Sequence, residues 1–332
     1  MKNKNEANID GESGAKAPAL DRRKFILVGA GVTASVFAAG HSRLRFTRAE
    51  VSTPVAADYD GLAGSGSLSI VEPAVVETRG RSYAPPIAGL HPDDLVLDQV
   101  PDRAQAAKRP PDVILGAAER VAFDSALARL RRLQKYVGFG NFNVIGWDQS
   151  LKLAQRRDTI GAFTRAELDL IEQLFFADAK RLGFYGDKVV SNLTATIPER
   201  DIVKIPRSGH YLFKGESTRT FERIRRDLGD SVVLTSGIRS VVKQIHLFMN
   251  KAEQVDGNLS LASFSLAPPG HSYHAIGDFD VGKKGFGLKN FSAAFAQTDE
   301  FKRLIDLGYL DIRYPQQNPF GVRYEPWHIK VV

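Results

Sequence analysis

A change of pattern near residue 112 limits the fold more than any other feature of this chain. Residues 41–111 are rich in Pro, Gly and Ala, with Ser added in stretches such as GLAGSGSLSI, APPIAGLHPDD and KRPP. They keep no helical or strand period, so they read as a flexible linker or extended arm. A core must therefore come from residues 112 onward. There, 117-AAERVAFDSALARLRRLQKYVG-138 spaces Val121, Leu127, Leu130, Leu133 and Val137 for one face of a helix, with arginines opposite. Gly138 and Gly140 end it. A second helix is expected from Thr164, where Thr-Arg-Ala-Glu fits a capping box, with Leu168, Ile171 and Phe175 on its inner face. Residues 112–189 thus read as a helical subdomain. Beyond 190 the patterns mix: a charged amphipathic helix over 218–228, a short strand over 231–235, a helix over 241–255, and a β-branched, aromatic strand within 320-FGVRYEPWHIKVV-332. Helices and strands do not alternate as βαβ units, so the expected class is α+β.

The amino terminus has the character of an address. In 20-LDRRKFILVGAGVTASVFAAGHS-42 a basic pair precedes an apolar run of roughly fifteen residues and then small residues, the order of an export signal. The run is shorter than the ~20 residues a membrane span requires. Arg22-Arg23 with Lys24-Phe25-Ile26-Leu27 resembles the bacterial twin-arginine signal, which exports folded proteins. The alternative is an ordinary secretory signal or an uncleaved anchor. Residues 1–40 are accordingly read as a twin-arginine signal peptide, the mature chain as periplasmic or extracytoplasmic, with no stable span after cleavage. Residues 1–50 hold nine Lys/Arg and five Asp/Glu, so only +3 of the net +7 belongs to the rest, too little to indicate nucleic acid as a partner. It is compatible with an acidic cell-wall polymer. The chain has no cysteine, which excludes disulfides, a thiolate nucleophile and thiolate-ligated zinc.

Three stretches carry chemistry. In 235-TSGIRSVVKQIH-246 a strand ends in a Ser-Gly turn and Arg239 opens a helix, either as a solvated helix-start residue or as a fork aimed into a cleft to grip a carboxylate. In 268-PPGHSYHAIGDFDVG-282 two histidines and two aspartates cluster, a polar loop or half of a metal site, with Asp278 and Asp280 on one face if extended. In 324-YEPWHIK-330 Glu325 and His328 are three apart, and Pro326 distorts the strand so that both reach one pocket, with Trp327 as a bulky wall.

In this order, Ser-Gly-x-Arg-Ser, Ser-x-His-x-x-Gly…Asp and Glu-Pro-Trp-His, the stretches resemble the VanY-type D-alanyl-D-alanine carboxypeptidases, a family that includes the VanX-type dipeptidases and shares its fold with the hedgehog amino-terminal domain. The resemblance covers roughly 190–332. It implies a small antiparallel sheet with flanking helices, here preceded by the helical subdomain, and one Zn²⁺ per chain held by His274, Asp280 and His328, with a fourth position open for water. It further implies Glu325 as general base and Arg239 as the group that holds the substrate carboxylate or the developing oxyanion. Gln244 stands where the family usually has glutamine, in a supporting role, and Ser272 and Trp327 flank the substrate. The implied substrate is a peptidoglycan stem peptide, cut as a carboxypeptidase or as an endopeptidase. The other class is a non-catalytic cell-wall or metal-binding module that keeps the fold.

One departure bears on the ligands. The family spaces its His and Asp seven apart, whereas His274 and Asp280 are six apart, and Asp278 occupies the place of an Ala. Seven before Asp278 lies His271, without the Ser-x-His context. A one-residue deletion in the turn at Gly277 keeps Asp280 as ligand and leaves Asp278 to orient a ligand histidine; the alternative is that Asp278 replaces Asp280.

Overall fold

The computed structural model describes residues 109–308 and 310–332. The expected signal at 1–40 and the expected linker up to residue 108 lie outside the described residues. At the end of that segment Arg109 is tied to the fold: its Nη1 donates to the Gly321 carbonyl at 2.9 Å and its Nη2 to those of Leu182 and Ser260 at 2.9 and 2.6 Å.

Helix α1 (Ala117–Val137) buries Phe123, Ala126, Leu127, Leu130 and Leu133. Val121 is 74% exposed, so Phe123, two residues on, begins the inner stripe that the spacing assigned to Val121. Arg129 also departs from the expected outer face. It is buried, with Nε and Nη2 donating to the Glu167 carboxylate at 3.0 and 3.1 Å. Glu167 is the reciprocal residue of the capping box at the start of the helix Arg165–Phe176, so the buried carboxylate draws the guanidinium inward. Thr164 Oγ1 accepts from Glu167 N at 3.3 Å, and Glu167 accepts from Thr164 N at 2.8 Å. Such a cap is worth about 1 kcal/mol. Between these helices lie α2 (Phe139–Phe142) and α3 (Trp147–Arg156), followed by α4 (Arg165–Phe176).

A short hairpin, β1 (Ile202–Lys204) and β2 (Tyr211–Phe213), leads to α5 (Glu216–Leu228), β3 (Val232–Ser236), α6 (Val241–Gln254) and α7 (Leu259–Ser265). After β4 (Phe279–Lys283) come α8 (Asp299–Asp306), β5 (Asp311–Tyr314) and β6 (Glu325–Lys330). Residues 241–252 of α6 are all buried, and the reason is its position between two groups of helices. Val242, Ile245, Phe248 and Met249 from α6, with Leu259 and Ala262 from α7, share one apolar core with Phe123, Leu130, Trp147, Ile171 and Phe175. The core therefore runs across the expected boundary at residue 190.

The four-stranded sheet has the order β3-β4-β6-β5, antiparallel throughout. Strand period puts Phe279 and Val281 of β4, and Trp327 and Ile329 of β6, into a second core with Phe221 and Ile224 of α5 and Leu304 of α8. The opposite face receives Asp280 and His328, which are directly cross-strand. This is the α+β arrangement expected. Among the described residues no helix is long and apolar enough to cross a membrane.

Candidate metal centre

Two irregularities in the sheet bring polar side chains to one row. Between Leu234 and Ser236 the β3 register shifts, so that Ser236 pairs with Asp280 although Leu234 pairs with Val281. On β6, Ile329 pairs with Ile312 and Glu325 with Tyr314, so four steps of β6 oppose two of β5. The bulge coincides with Pro326, which cannot donate to a ladder. It lets Glu325 and His328 approach on one side: Glu325 Oε2 lies 3.3 Å from His328 Nδ1.

His274 comes from the turn before β4. Its Nδ1 donates to the Gly237 carbonyl at 2.7 Å, which leaves the lone pair on Nε2. Gly277, at φ 147°, closes that turn in a conformation side-chain-bearing residues rarely adopt, and its carbonyl accepts from Ser217 Oγ at 2.7 Å. Gly237 is equally constrained, because a Cβ there would collide with the Tyr211 carbonyl.

The turn and the cross-strand pair converge. One ligand atom from each of His274, Asp280 and His328 lies within 4.8 Å of the others, and all three residues are buried. His274 Nε2 and Asp280 Oδ1 are 3.2 Å apart, and neither has a hydrogen-bond partner. Two buried acceptors facing each other are costly, and a cation between them removes the cost. His328 Nε2 lies 3.1 Å from Asp278 Oδ2, which turns Nδ1 toward Asp280 Oδ1 at 3.6 Å. The donor set of two imidazoles and a carboxylate, all oriented by further hydrogen bonds, fits a zinc-type ion with a position left open.

Asp278 is 1% exposed and does not line the pocket. Its carboxylate accepts from Arg313 Nε and Nη2 at 2.7 and 3.1 Å and from Val331 N at 2.8 Å, besides His328. Burial opposes its ionisation, but His328 and Arg313 hold the carboxyl well below the usual range. Burial likewise opposes the charge on Asp280, yet His274 and Arg239 keep its carboxyl below the ordinary value. His274 is pushed down by burial and then by Arg239. Burial alone would lower His328, but its contacts with Asp278 and Glu325 raise it to about 9.

The remaining expected residues surround this set. Arg239 donates from Nη2 to Asp280 Oδ2 at 2.7 Å and from Nε to Ser236 Oγ at 3.1 Å. Gln244 does not line the pocket; its Nε2 donates to the Ala267 carbonyl and so holds a segment that does. Ser272 and Trp327 are buried and line it. His271 is elsewhere, its Nδ1 3.1 Å from the Asp187 carbonyl and its ring against Phe184. Three residues went unread in the sequence. Arg313 partners Asp278, and the Tyr314 ring lies 5.0 Å from that of His328. Arg323, 3% exposed, has Nε 3.6 Å from Glu325 Oε1 and its guanidinium 5.0 Å from the Trp327 ring centroid. Its place two residues before Glu325, hence on the same face of an extended chain, was the available signal.

Residues 216–332 match the family model of VanY, D-alanyl-D-alanine carboxypeptidase. This stretch is a VanY-type domain and holds every residue of the cluster. No match was found among curated proteins. Among solved structures, the LdcB LD-carboxypeptidase, described with the molecular basis of peptidoglycan recognition, is 26% identical with a TM-score of 0.34, over 41% of this chain and 69% of that one. A mutant of the VanY D,D-pentapeptidase from a VanB-type resistance cassette, in complex with Zn(II), is 21% identical with a TM-score of 0.33, over 44% and 87%. The D,D-dipeptidase VanXYg with a D-Ala-D-Ala phosphinate analogue is 23% identical with a TM-score of 0.34, over 44% and 57%.

Proposed function

We propose that this chain is an exported, zinc-dependent peptidase that hydrolyses peptidoglycan stem peptides by removing a terminal D-alanine. The observation that carries the reading is the buried convergence of His274, Asp280 and His328 with Glu325 beside them. The family match supports the substrate class, and the twin-arginine pattern at residues 22–27 supports export. His274 Nε2, Asp280 Oδ1 and His328 Nδ1 would hold the ion. Zinc bound there supplies Lewis-acid chemistry, polarising a carbonyl and acidifying water.

The other steps belong to the chain. Glu325, whose Oε2 faces the ligand set, takes the proton of the attacking water and passes it to the leaving amine. Arg239 neutralises Asp280 and keeps its Oδ2 away from the cluster, while Asp278 fixes the ring of His328. Trp327 and Tyr314 wall the pocket against water. A retained general base argues against a purely structural zinc module. Incubation of zinc-loaded protein with a defined stem pentapeptide ending in D-alanyl-D-alanine tests the reading by mass spectrometry. Loss of one alanine is expected. An internal cut would make it an endopeptidase, and an intact peptide would make it the non-catalytic module.

A further inference from the structure

Arg109 belongs by sequence to the linker, just before Pro110 and Pro111, yet its side chain joins three other parts of the fold. Nη1 donates to the Gly321 carbonyl at 2.9 Å, and Nη2 to those of Leu182 and Ser260 at 2.9 and 2.6 Å. The guanidinium also lies 5.3 Å from the centre of the Phe264 ring. One planar fork thus gathers three carbonyl oxygens that are far apart in the chain. The junction is shaped to it. A Cβ on Gly183 would stand 2.8 Å from Nη2, and one on Gly321 would strike the Gly183 carbonyl. The residues that follow fasten the arm to the start of α7. Val113 N donates to Ser260 Oγ at 3.0 Å, Leu259 N to the Val113 carbonyl at 2.8 Å, and Leu115 N to the Gly257 carbonyl at 3.0 Å.

Two of the parts that Arg109 joins continue into the candidate pocket. Ser265, Leu266 and Ala267, just after Phe264, line it, as do Val322 and Arg323, just after Gly321. The two segments meet where Arg323 N donates to the Phe264 carbonyl at 3.0 Å, and Arg109 ties them a second time through Ser260 and Gly321. The ligand set is supported elsewhere. His274 hangs on the Gly237 carbonyl, and Asp280 and His328 are a cross-strand pair. Loosening the tie therefore moves one wall of the pocket and leaves the metal ligands in place.

We infer that Arg109 is a positioning residue for the substrate: it fixes the wall formed by residues 265–267 and 322–323, so the end of the arm is a working part of the pocket. The inference rests on the peptidase reading above and extends the site beyond the family-matched residues 216–332.

The test compares Arg109→Ala and Arg109→Lys with the parent full-length chain, all zinc-loaded and all carrying Glu325→Ala so that bound peptide stays intact. Three quantities are read: calorimetric affinity for a peptide ending in D-alanyl-D-alanine, zinc affinity by chelator competition, and amide hydrogen exchange by mass spectrometry. Arg109→Ala should weaken peptide binding by about 10- to 100-fold, the scale of a displaced binding wall, with zinc affinity within about twofold of the parent. Exchange should quicken over 264–267 and 320–323 and stay unchanged in β3 and β4, because the opening is local. Arg109→Lys, which keeps the charge but not the fork, should recover part of the affinity. Parental peptide affinity in Arg109→Ala, or parental exchange over 320–323, overturns the inference. So does a loss of zinc affinity in step with peptide affinity, which would mark general damage. If the parent itself binds no peptide, the substrate reading falls, and the exchange pattern alone decides whether Arg109 holds the wall.

Discussion

Replacing Asp278 by Asn separates the two aspartates of the metal-centre stretch. The carboxylate of Asp278 is 1% exposed and collects donors from Arg313 Nε, Arg313 Nη2, Val331 N and His328 Nε2 between 2.7 and 3.1 Å. Asn keeps the shape and one oxygen, but its NH₂ faces a donor, and the 8%-exposed Arg313 loses its counter-charge. Breaking a buried pair by removing one partner costs about 3–5 kcal/mol, and chemical denaturation of the metal-free protein should read a loss of that order. His328 also loses the group that directs its Nδ1 toward Asp280. Orienting partners of this kind typically hold about 10–100-fold in metal affinity, about 1.4–2.7 kcal/mol, which a competition titration with a chromogenic chelator resolves. Asp280→Asn should lose more zinc affinity and less fold stability than Asp278→Asn. The reasoning fails if Asp278→Asn abolishes zinc binding while Asp280→Asn retains it, since the two would then have exchanged roles.

Other perturbations give sharper signs. Glu325→Ala should lose hydrolysis by orders of magnitude while zinc content stays at the wild-type level; joint loss of both would remove Glu325 from the role of base. Gly237→Ala should lower the midpoint of thermal unfolding and weaken zinc binding together, because the new Cβ collides with the Tyr211 carbonyl and shifts the Gly237 carbonyl that orients His274. Zinc must displace the proton that His328 holds up to about 9, so affinity should tighten by about tenfold per pH unit below that value and level off above it. In the metal-free protein the same group stabilises the fold fully below 6.5, and this contribution is lost as pH rises through about 9. Glu167 has the opposite sign. Burial opposes its charge, but Arg129 and Ser125 hold the carboxyl below 4.5, so its contribution is present above that pH and is lost as the medium is acidified. Glu167→Gln should flatten that acid limb in denaturation curves.

The site was more legible in sequence than its support. His274, Asp280 and His328 stand out because their chemistry is rare and their neighbours (Gly237, Gly277, Pro326) mark backbone irregularities that a sheet needs in order to gather them. The elements were legible for a similar reason: the Thr164 cap and the strand period of β4 and β6 are local signals. What local period cannot carry is which side of a helix another part of the chain will cover. Val121 and Phe123 are two residues apart and both apolar; α6 packs against the Phe123 side, and that contact joins residues more than a hundred positions apart. Arg129 misled for a related reason, since an arginine reads as solvated until its buried partner Glu167 is known. Arg313 was hidden in the same way, being meaningful only through the Asp278 carboxylate that the fold brings to it, whereas Arg323 had its partner Glu325 two residues away.

The central claim is that His274, Asp280 and His328 hold one metal ion. Elemental analysis of the protein, dialysed against dilute zinc and then against metal-free buffer, tests it directly. The account predicts about one zinc per chain in wild type and close to none in His328→Ala. Wild-type protein that keeps no zinc, or His328→Ala that keeps as much as wild type, would contradict it.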